Sequence, residues 1–246
     1  MTIRSLVFLC LLFLTQGHLH AATQWVDLVD ASGPVGFADV NEKLALCGDV
    51  KLAEDSKGLT PVEGKGVIAV TSKMAFGRSN LNSTQEFGDC ELQLEFLIGK
   101  GSNSGVKLQQ RYEIQLYDSS HKEKPNAKEC GGVYPHWVFK NGGGLKYIDE
   151  GVPPMTNAAK PAGQWQTLKI VFKAPRFDKA GEKTENAKFV YVSLNGETIQ
   201  ADVDLESPTG NASSPKPEVA KAPIFLQLDH GPVAFRKVRV KPLDLK

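Results

Sequence analysis

The stretch RYEIQLYD, residues 111–118, carries a charged, amide or aromatic side chain at every second position. Read as a β-strand, it puts Arg111, Glu113, Gln115 and Tyr117 on one face and Tyr112, Ile114 and Leu116 on the other. The second face is ordinary core. The first is either a solvated sheet face or the floor of a site for a ligand rich in hydroxyls. Carboxylates and amides make paired hydrogen bonds to neighbouring hydroxyls, and a flat ring covers the C–H face of a sugar. The preceding GKGSNSGVKLQ brackets Ser102, Asn103 and Ser104 with glycines, which suits a ligand-binding loop or a turn satisfying its own backbone. In LQLDHGPVAFR, His230 ends a strand and could exchange a proton during turnover. Gln227 there alternates away from Leu226 and Leu228, and Arg236 shares phase with Val238 and Val240, a buried structural position unless a bulge shifts the register. The sequence contains no nucleophile elbow, P-loop, dinucleotide fingerprint, HExxH pattern or paired-cysteine zinc site. A metal would have to bind through carboxylates and a histidine scattered over strands.

The elements that must position these residues have period two. CELQLEFLI (90–98), WQTLKIVFK (165–173), PIFLQLDHG (223–231) and VAFRKVRVKPL (233–243) all read as strands. KFVYVSLNGETIQ (188–200) reads as a hairpin turning at Asn195-Gly196, a pair that tolerates the positive φ angles of a tight turn. No amphipathic helix of ten residues or more is evident. Strands joined by Gly- and Pro-rich turns predict an all-β sandwich or barrel in one domain over residues 23–246. Of the long connections, 131–164 is expected to wall a site, 175–187 to be a polar insertion, and 205–222 a mobile surface excursion.

Residues 1–22 read as a secretory signal peptide, one positive charge and a ten-residue apolar run ahead of small residues, with cleavage after Ala21 or Ala22. The apolar run is too short to span a bilayer, and no other segment could. A secreted or periplasmic location is therefore expected. The formal charge of +1, without a basic stripe, argues against a nucleic-acid partner. Cys47, Cys90 and Cys130 remain after leader removal; they read as one bridge, Cys90–Cys130, or as buried free thiols. Asn82 and Asn211 stand in Asn-x-Ser/Thr sequons.

Five stretches in order resemble one family, the 3-keto-disaccharide hydrolase or 3-keto-glucoside lyase/hydratase domain. They are FGDCELQLEFLIGKGSNSGVKLQQRYEIQLYD, CGGVY, NAAKPAGQWQTLKIVF, VSLNGETI and PIFLQLDHGPVAFRKVRVKPL. The resemblance covers residues 85–243 and is thin over 25–84; Lys237 stands where the family commonly has Asn. It implies a concanavalin A-like (jelly-roll) β-sandwich of two antiparallel sheets and a glycoside substrate already oxidised to a ketone at C3. A C3 ketone acidifies the C2 hydrogen. A base removes it, the C1 substituent leaves by β-elimination, and water adds to the product. Such a site needs a base, an electrophile at the C3 oxygen and an acid at the leaving oxygen. The resemblance assigns Glu113 as base or metal ligand and His230 as proton donor or second base. Asn103, Ser104, Gln115 and Gln227 would orient the sugar, with Glu95 and Tyr134 as further candidates. A bound divalent ion could supply the electrophile. Two other readings are a non-catalytic carbohydrate-binding module on the same sandwich and a glucanase-like hydrolase of unoxidised glycosides. The last needs two carboxyls on one side, whereas Asp118 alternates away from Glu113.

Overall fold

The computed structural model describes residues 24–55, 57–72 and 79–246; the expected leader lies outside them. Among the described residues every regular element is a strand, and no helix is long and apolar enough to cross a membrane. The strands are β1 (Val26–Val29), β2 (Ala45–Leu52), β3 (Leu59–Val70), β4 (Leu81–Phe87), β5 (Cys90–Ile98), β6 (Asn103–Leu108), β7 (Tyr112–Tyr117), β8 (Trp137–Phe139), β9 (Leu145–Tyr147), β10 (Gln166–Lys173), β11 (Arg176–Phe177), β12 (Lys183–Glu185), β13 (Ala187–Leu194), β14 (Glu197–Leu205), β15 (Ala222–Leu226) and β16 (Val233–Pro242).

Two antiparallel sheets carry the architecture. The larger runs β14-β13-β10-β5-β16-β3-β2, with β1 beside the second half of β16; the smaller runs β4-β15-β6-β7. Period-two alternation decides what lies between them. Leu92, Leu94 and Phe96 of β5, Leu168, Ile170 and Phe172 of β10 and Phe235 of β16 point inward from the larger sheet. They meet Ile224, Val106, Tyr112, Ile114 and Leu116 from the smaller one. Each such large apolar side chain contributes about 1.5–3 kcal/mol by leaving water. A smaller apolar cluster that includes Cys47, Val67, Ala69, Leu97 and Ala234 uses the opposite phase of β2, β3, β5 and β16 and lies behind the larger sheet.

The expected hairpin is present: Asn195 and Gly196 have φ of 54° and 90° and join β13 to β14. The bulge that would shift Arg236 is also present. Opposite β5 the pairing jumps from Arg236↔Glu95 to Arg239↔Gln93, with Lys237 at φ 50°, so Arg236 turns outward while Val238 and Val240 stay buried. Of the two readings of the cysteines the structure has the second: Cys47, Cys90 and Cys130 are all free and buried, with no Cys90–Cys130 bridge. Burial pushes the thiols of Cys90 and Cys130 up to about 12, so they pack as small apolar groups. Segment 205–222 is pinned rather than free. Tyr112 Oη donates to Glu218 at 2.5 Å, Arg111 Nε to Pro217 O at 2.7 Å and Gln109 Nε2 to Ala220 O at 3.0 Å.

Candidate functional site

The outer face of the smaller sheet is built in transverse rows, because residues paired across antiparallel strands point the same way. In the first row Asn82 lies opposite Phe225, Phe225 opposite Lys107, and Lys107 opposite Glu113. Chain 131–134 then runs alongside β7 as a further edge. Tyr134 N donates to Glu113 O at 3.2 Å, which brings the Tyr134 ring into the row, while Val133 bridges Ile114 on the core side. In the second row Gln227 N donates to Gly105 O, Gly105 pairs with Gln115, and Gln115 N donates to Gly132 O. Asn103 and Tyr117 pair in the third. With no side chain at Gly105 the second row forms a trough there, whereas the backbone of Ala127 fills the space beside Gly132.

Glu113 leans into that trough. Its side chain is only 5% exposed and meets Lys107 Nζ at 2.9 Å, with the ammonium 5.8 Å from the centre of the Phe225 ring. A Cβ added to Gly105 would lie 2.2 Å from Glu113 Oε1, so the carboxylate fills the space that the missing side chain leaves. Gly105→Ala is therefore expected to expel the carboxylate from its seat, and if the carboxylate reacts from that seat turnover falls at least about tenfold. Circular dichroism should still report a folded sandwich, since a strand accepts Ala here; unchanged steady-state kinetics would contradict this seat.

The amides complete the floor. Gln115 Nε2 donates to Asn103 Oδ1 and to Lys128 O, both at 3.3 Å, while its Oε1 is buried without a protein partner; the residue is only 2% exposed and supports Asn103 from beneath the floor. Tyr134 Oη lies 2.9 Å from Tyr147 Oη on the hairpin β8–β9. Burial raises the Tyr134 hydroxyl far above its ordinary range; the Tyr147 hydrogen bond and the Tyr147 and Glu113 charges add to this, so it stays an O–H.

The structure thus brings Glu113, Gln115, Asn103, Gln227 and Tyr134 to one face, walled in part by 131–164 as expected. His230 stands at the far end. Beyond β15 the chain turns so that a Cβ on Gly231 would meet Ser102 Oγ at 2.6 Å and Asn103 N at 3.1 Å, which places His230 beside the Asn103 level. Four residues of β6 separate that level from Lys107, about 13 Å of strand. His230 Nδ1 lies 2.5 Å from Asp229 Oδ1, and Asp229 Oδ2 accepts from Asn80 Nδ2 at 2.9 Å, so the imidazole is oriented by a fixed carboxylate.

Two expected residues lie elsewhere. Ser104 shares phase with Leu116 on the inward side, is fully buried, and donates its hydroxyl to Gln227 O at 2.7 Å; it holds the strands and does not reach the trough. Glu95 belongs to the other sheet. It points outward from β5, bound by Arg236 Nε at 2.6 Å and Lys237 Nζ at 2.7 Å, with the Arg236 guanidinium 3.9 Å from the Trp165 ring centre. Lys107 and Gly105 were missed, although pairing NSGVKL against YEIQLY through the 109–111 turn sets Lys107 opposite Glu113.

A groove of about 710 Å³ opens on the outer face of the larger sheet, lined by Gln93, Glu95, Arg236 and Arg239 among others. Some of its charges are matched: Glu95 holds Arg236 and Lys237, and Lys169 pairs with Glu91 just outside. Size alone does not make it the reactive site; the nearly buried Glu113 carboxylate, paired with Lys107 and seated over Gly105, makes the trough the candidate. Among the described residues no three His, Cys, Asp or Glu side chains converge as the ligands of a cation do, and Glu113 already faces an ammonium. This donor set does not fit a divalent ion, and no step below passes through one.

Three solved structures, each of a candidate glycosyl hydrolase from Parabacteroides distasonis, share the fold. One matches with TM-score 0.65 and 20% identity over 89% of this chain and 84% of that one. The second has TM-score 0.52 and 21% identity over 89% and 100%, and the third 0.51 and 16% over 89% and 94%. No curated protein matches the chain. The family model of the 3-keto-alpha-glucoside-1,2-lyase-like domain matches residues 25–241, which spans β1 through nearly all of β16, and the chain belongs to that carbohydrate-active family.

Proposed function

We propose that the protein cleaves glycosides carrying a ketone at C3, by C2 proton abstraction, β-elimination of the C1 substituent and hydration of the unsaturated product, and that it does so outside the cytoplasm, secreted or periplasmic, after loss of its leader. The observation that carries this reading is the Glu113 carboxylate, nearly buried over Gly105 and held by Lys107 at 2.9 Å.

In this reading Glu113 takes the C2 proton. Charge then develops on the C3 oxygen, and the cation and the hydroxyl of the same row, Lys107 and Tyr134, are the donors that meet it. Transfer of the proton to Glu113 frees the Lys107 ammonium from its partner as the enolate forms, so the interaction strengthens along the reaction. Asn103 and Gln227 take sugar hydroxyls, and Gln115 orients the sugar by holding Asn103 in place. His230, oriented by Asp229 at the Asn103 row next to the trough, gives a proton to the leaving oxygen and takes one from water in the hydration step.

The test is product analysis after incubation of the purified protein with a 3-keto-disaccharide and with its unoxidised parent. Cleavage of the keto sugar alone is expected. Cleavage of the parent would favour a direct glycosidase. Binding of either sugar without turnover would make the trough a lectin-like docking surface.

A further inference from the structure

A second group of reactive side chains borders the trough and takes no part in the reaction above. Ser207 Oγ lies 3.0 Å from His136 Nε2, and His136 Nδ1 lies 2.5 Å from Asp149 Oδ2. This is the order nucleophile, base, orienting carboxylate that activates a serine hydroxyl. We propose that Ser207, His136 and Asp149 form an esterase-type centre that removes short acyl groups from carbohydrate hydroxyls.

Main-chain bonds hold each member in place. Asp149 Oδ1 accepts from His136 N and Gly151 N, both at 3.0 Å, which leaves Oδ2 aimed at the ring. An Nδ1–H bonded to Asp149 leaves the Nε2 lone pair directed at the Ser207 hydroxyl. Burial pushes the Asp149 carboxyl up, but its bonds to His136 N, the His136 ring and Gly151 N outweigh this and keep it below its ordinary value, so it stays the acceptor. Ile148 N donates to His136 O at 2.9 Å and closes the base of the β8–β9 hairpin. The loop bearing Ser207 is stitched to the hairpin by Trp137 N to Gly210 O and Ala212 N to Trp137 O, both 2.8 Å. Ser207 is half-buried and the side chains of His136 and Asp149 are 24% and 43% exposed, so an ester can reach the serine.

The substrate class follows from position and rests on the sugar reading of the trough. Tyr134, two residues before His136, belongs to the Glu113 row, and Thr209, two residues after Ser207, accepts the Glu113 N–H at 3.0 Å. A glycoside lying in the trough would thus carry its ester substituents past Ser207.

The chemistry balances without a co-reactant other than water. Ser207 Oγ adds to the carbonyl carbon while its proton passes to His136 Nε2. The tetrahedral adduct breaks its bond to the sugar oxygen, which takes that proton and leaves as the free hydroxyl. Water then gives a proton to Nε2 and attacks the acyl-serine. The carboxylic acid departs and the proton returns to Ser207 Oγ.

The test is intact-mass analysis of the full chain after incubation with a fluorophosphonate, with hydrolysis of 4-nitrophenyl acetate measured in parallel. One adduct, mapped to Ser207 and absent in Ser207→Ala, is expected. Asp149→Asn should slow labelling at least about 100-fold, because the ring loses the tautomer that accepts the serine proton. No adduct on the native protein, or one that persists in Ser207→Ala, would overturn the proposal and leave the three residues as a brace between hairpin and loop. The probe needs no keto sugar, so this result and the product analysis above can fail independently.

Discussion

Glu113→Gln is expected to lower kcat on a 3-keto-glycoside by about 10²–10⁴, the usual worth of a positioned general base, with KM nearly unchanged. The substitution keeps the volume over Gly105 and an oxygen facing Lys107, so the trough should still take the sugar. It removes the lone pair that accepts the C2 proton. The fold should survive, since Lys107 keeps a 21% exposed side chain through which water can solvate the ammonium once its partner is neutral. A second measurement separates a base from a binding residue. In D₂O the native protein should exchange the C2 hydrogen of the keto sugar ahead of or alongside cleavage, and NMR would follow the loss of that signal. Glu113→Gln should lose exchange and cleavage together. Exchange that continued at the native rate while cleavage fell would assign the base to another residue and give Glu113 a role after the enolate.

The parts of this site that could be read in the sequence are those that depend on alternation along a single strand. Glu113 and Gln115 fall on one face because i and i+2 always do, and Asn195-Gly196 turns the β13–β14 hairpin because few other pairs accept two positive φ angles in succession. Alternation gives two faces, however, and does not say which is outward or to which sheet a strand belongs. Ser104 and Glu95 show the limit. Each has the polar chemistry of a sugar site, but Ser104 has the inward phase of β6, and Glu95 projects from a strand of the other sheet. The Arg236 bulge is a third case, since one extra residue reverses the face of everything before it and no composition signal marks it. His136, Asp149 and Ser207 are the extreme case: 71 residues separate the histidine from the serine, and only the docking of two long loops brings them together. Cys90 and Cys130 each fill core space as thiols, a role that sequence spacing does not distinguish from a bridge.

Asp89→Asn is expected to be among the most destabilising single changes in the protein, by about 3 kcal/mol at neutral pH. Asp89 leads into β5 with a side chain only 6% exposed. Its Oδ1 accepts from Ala174 N and Arg176 Nη1, both at 2.8 Å, and its Oδ2 from Arg176 Nη2 at 2.6 Å and Leu245 N at 2.8 Å. One carboxylate therefore ties β5, the turn after β10 and the C-terminal segment together. An amide in its place keeps one acceptor oxygen and turns an N–H₂ group toward donors, so part of this set goes unpaired in a site where water has little access. The pH dependence follows from the direction of the shift. Burial raises the Asp89 carboxyl, but the bonds from Arg176, Ala174 N and Leu245 N outweigh it and hold the folded-state value below the ordinary one. A depressed carboxyl contributes stability that is present above its unfolded value, roughly pH 4, and is lost as pH falls through the folded value. The gap between native and variant should therefore be full near pH 7 and close on acidification below about pH 4. In thermal melts of a chain this size, 3 kcal/mol corresponds to a fall in Tm of about 6–12 °C. A variant that melts within about 2 °C of the native protein at pH 7 would show that the C-terminal segment and the β10 turn hold without this carboxylate.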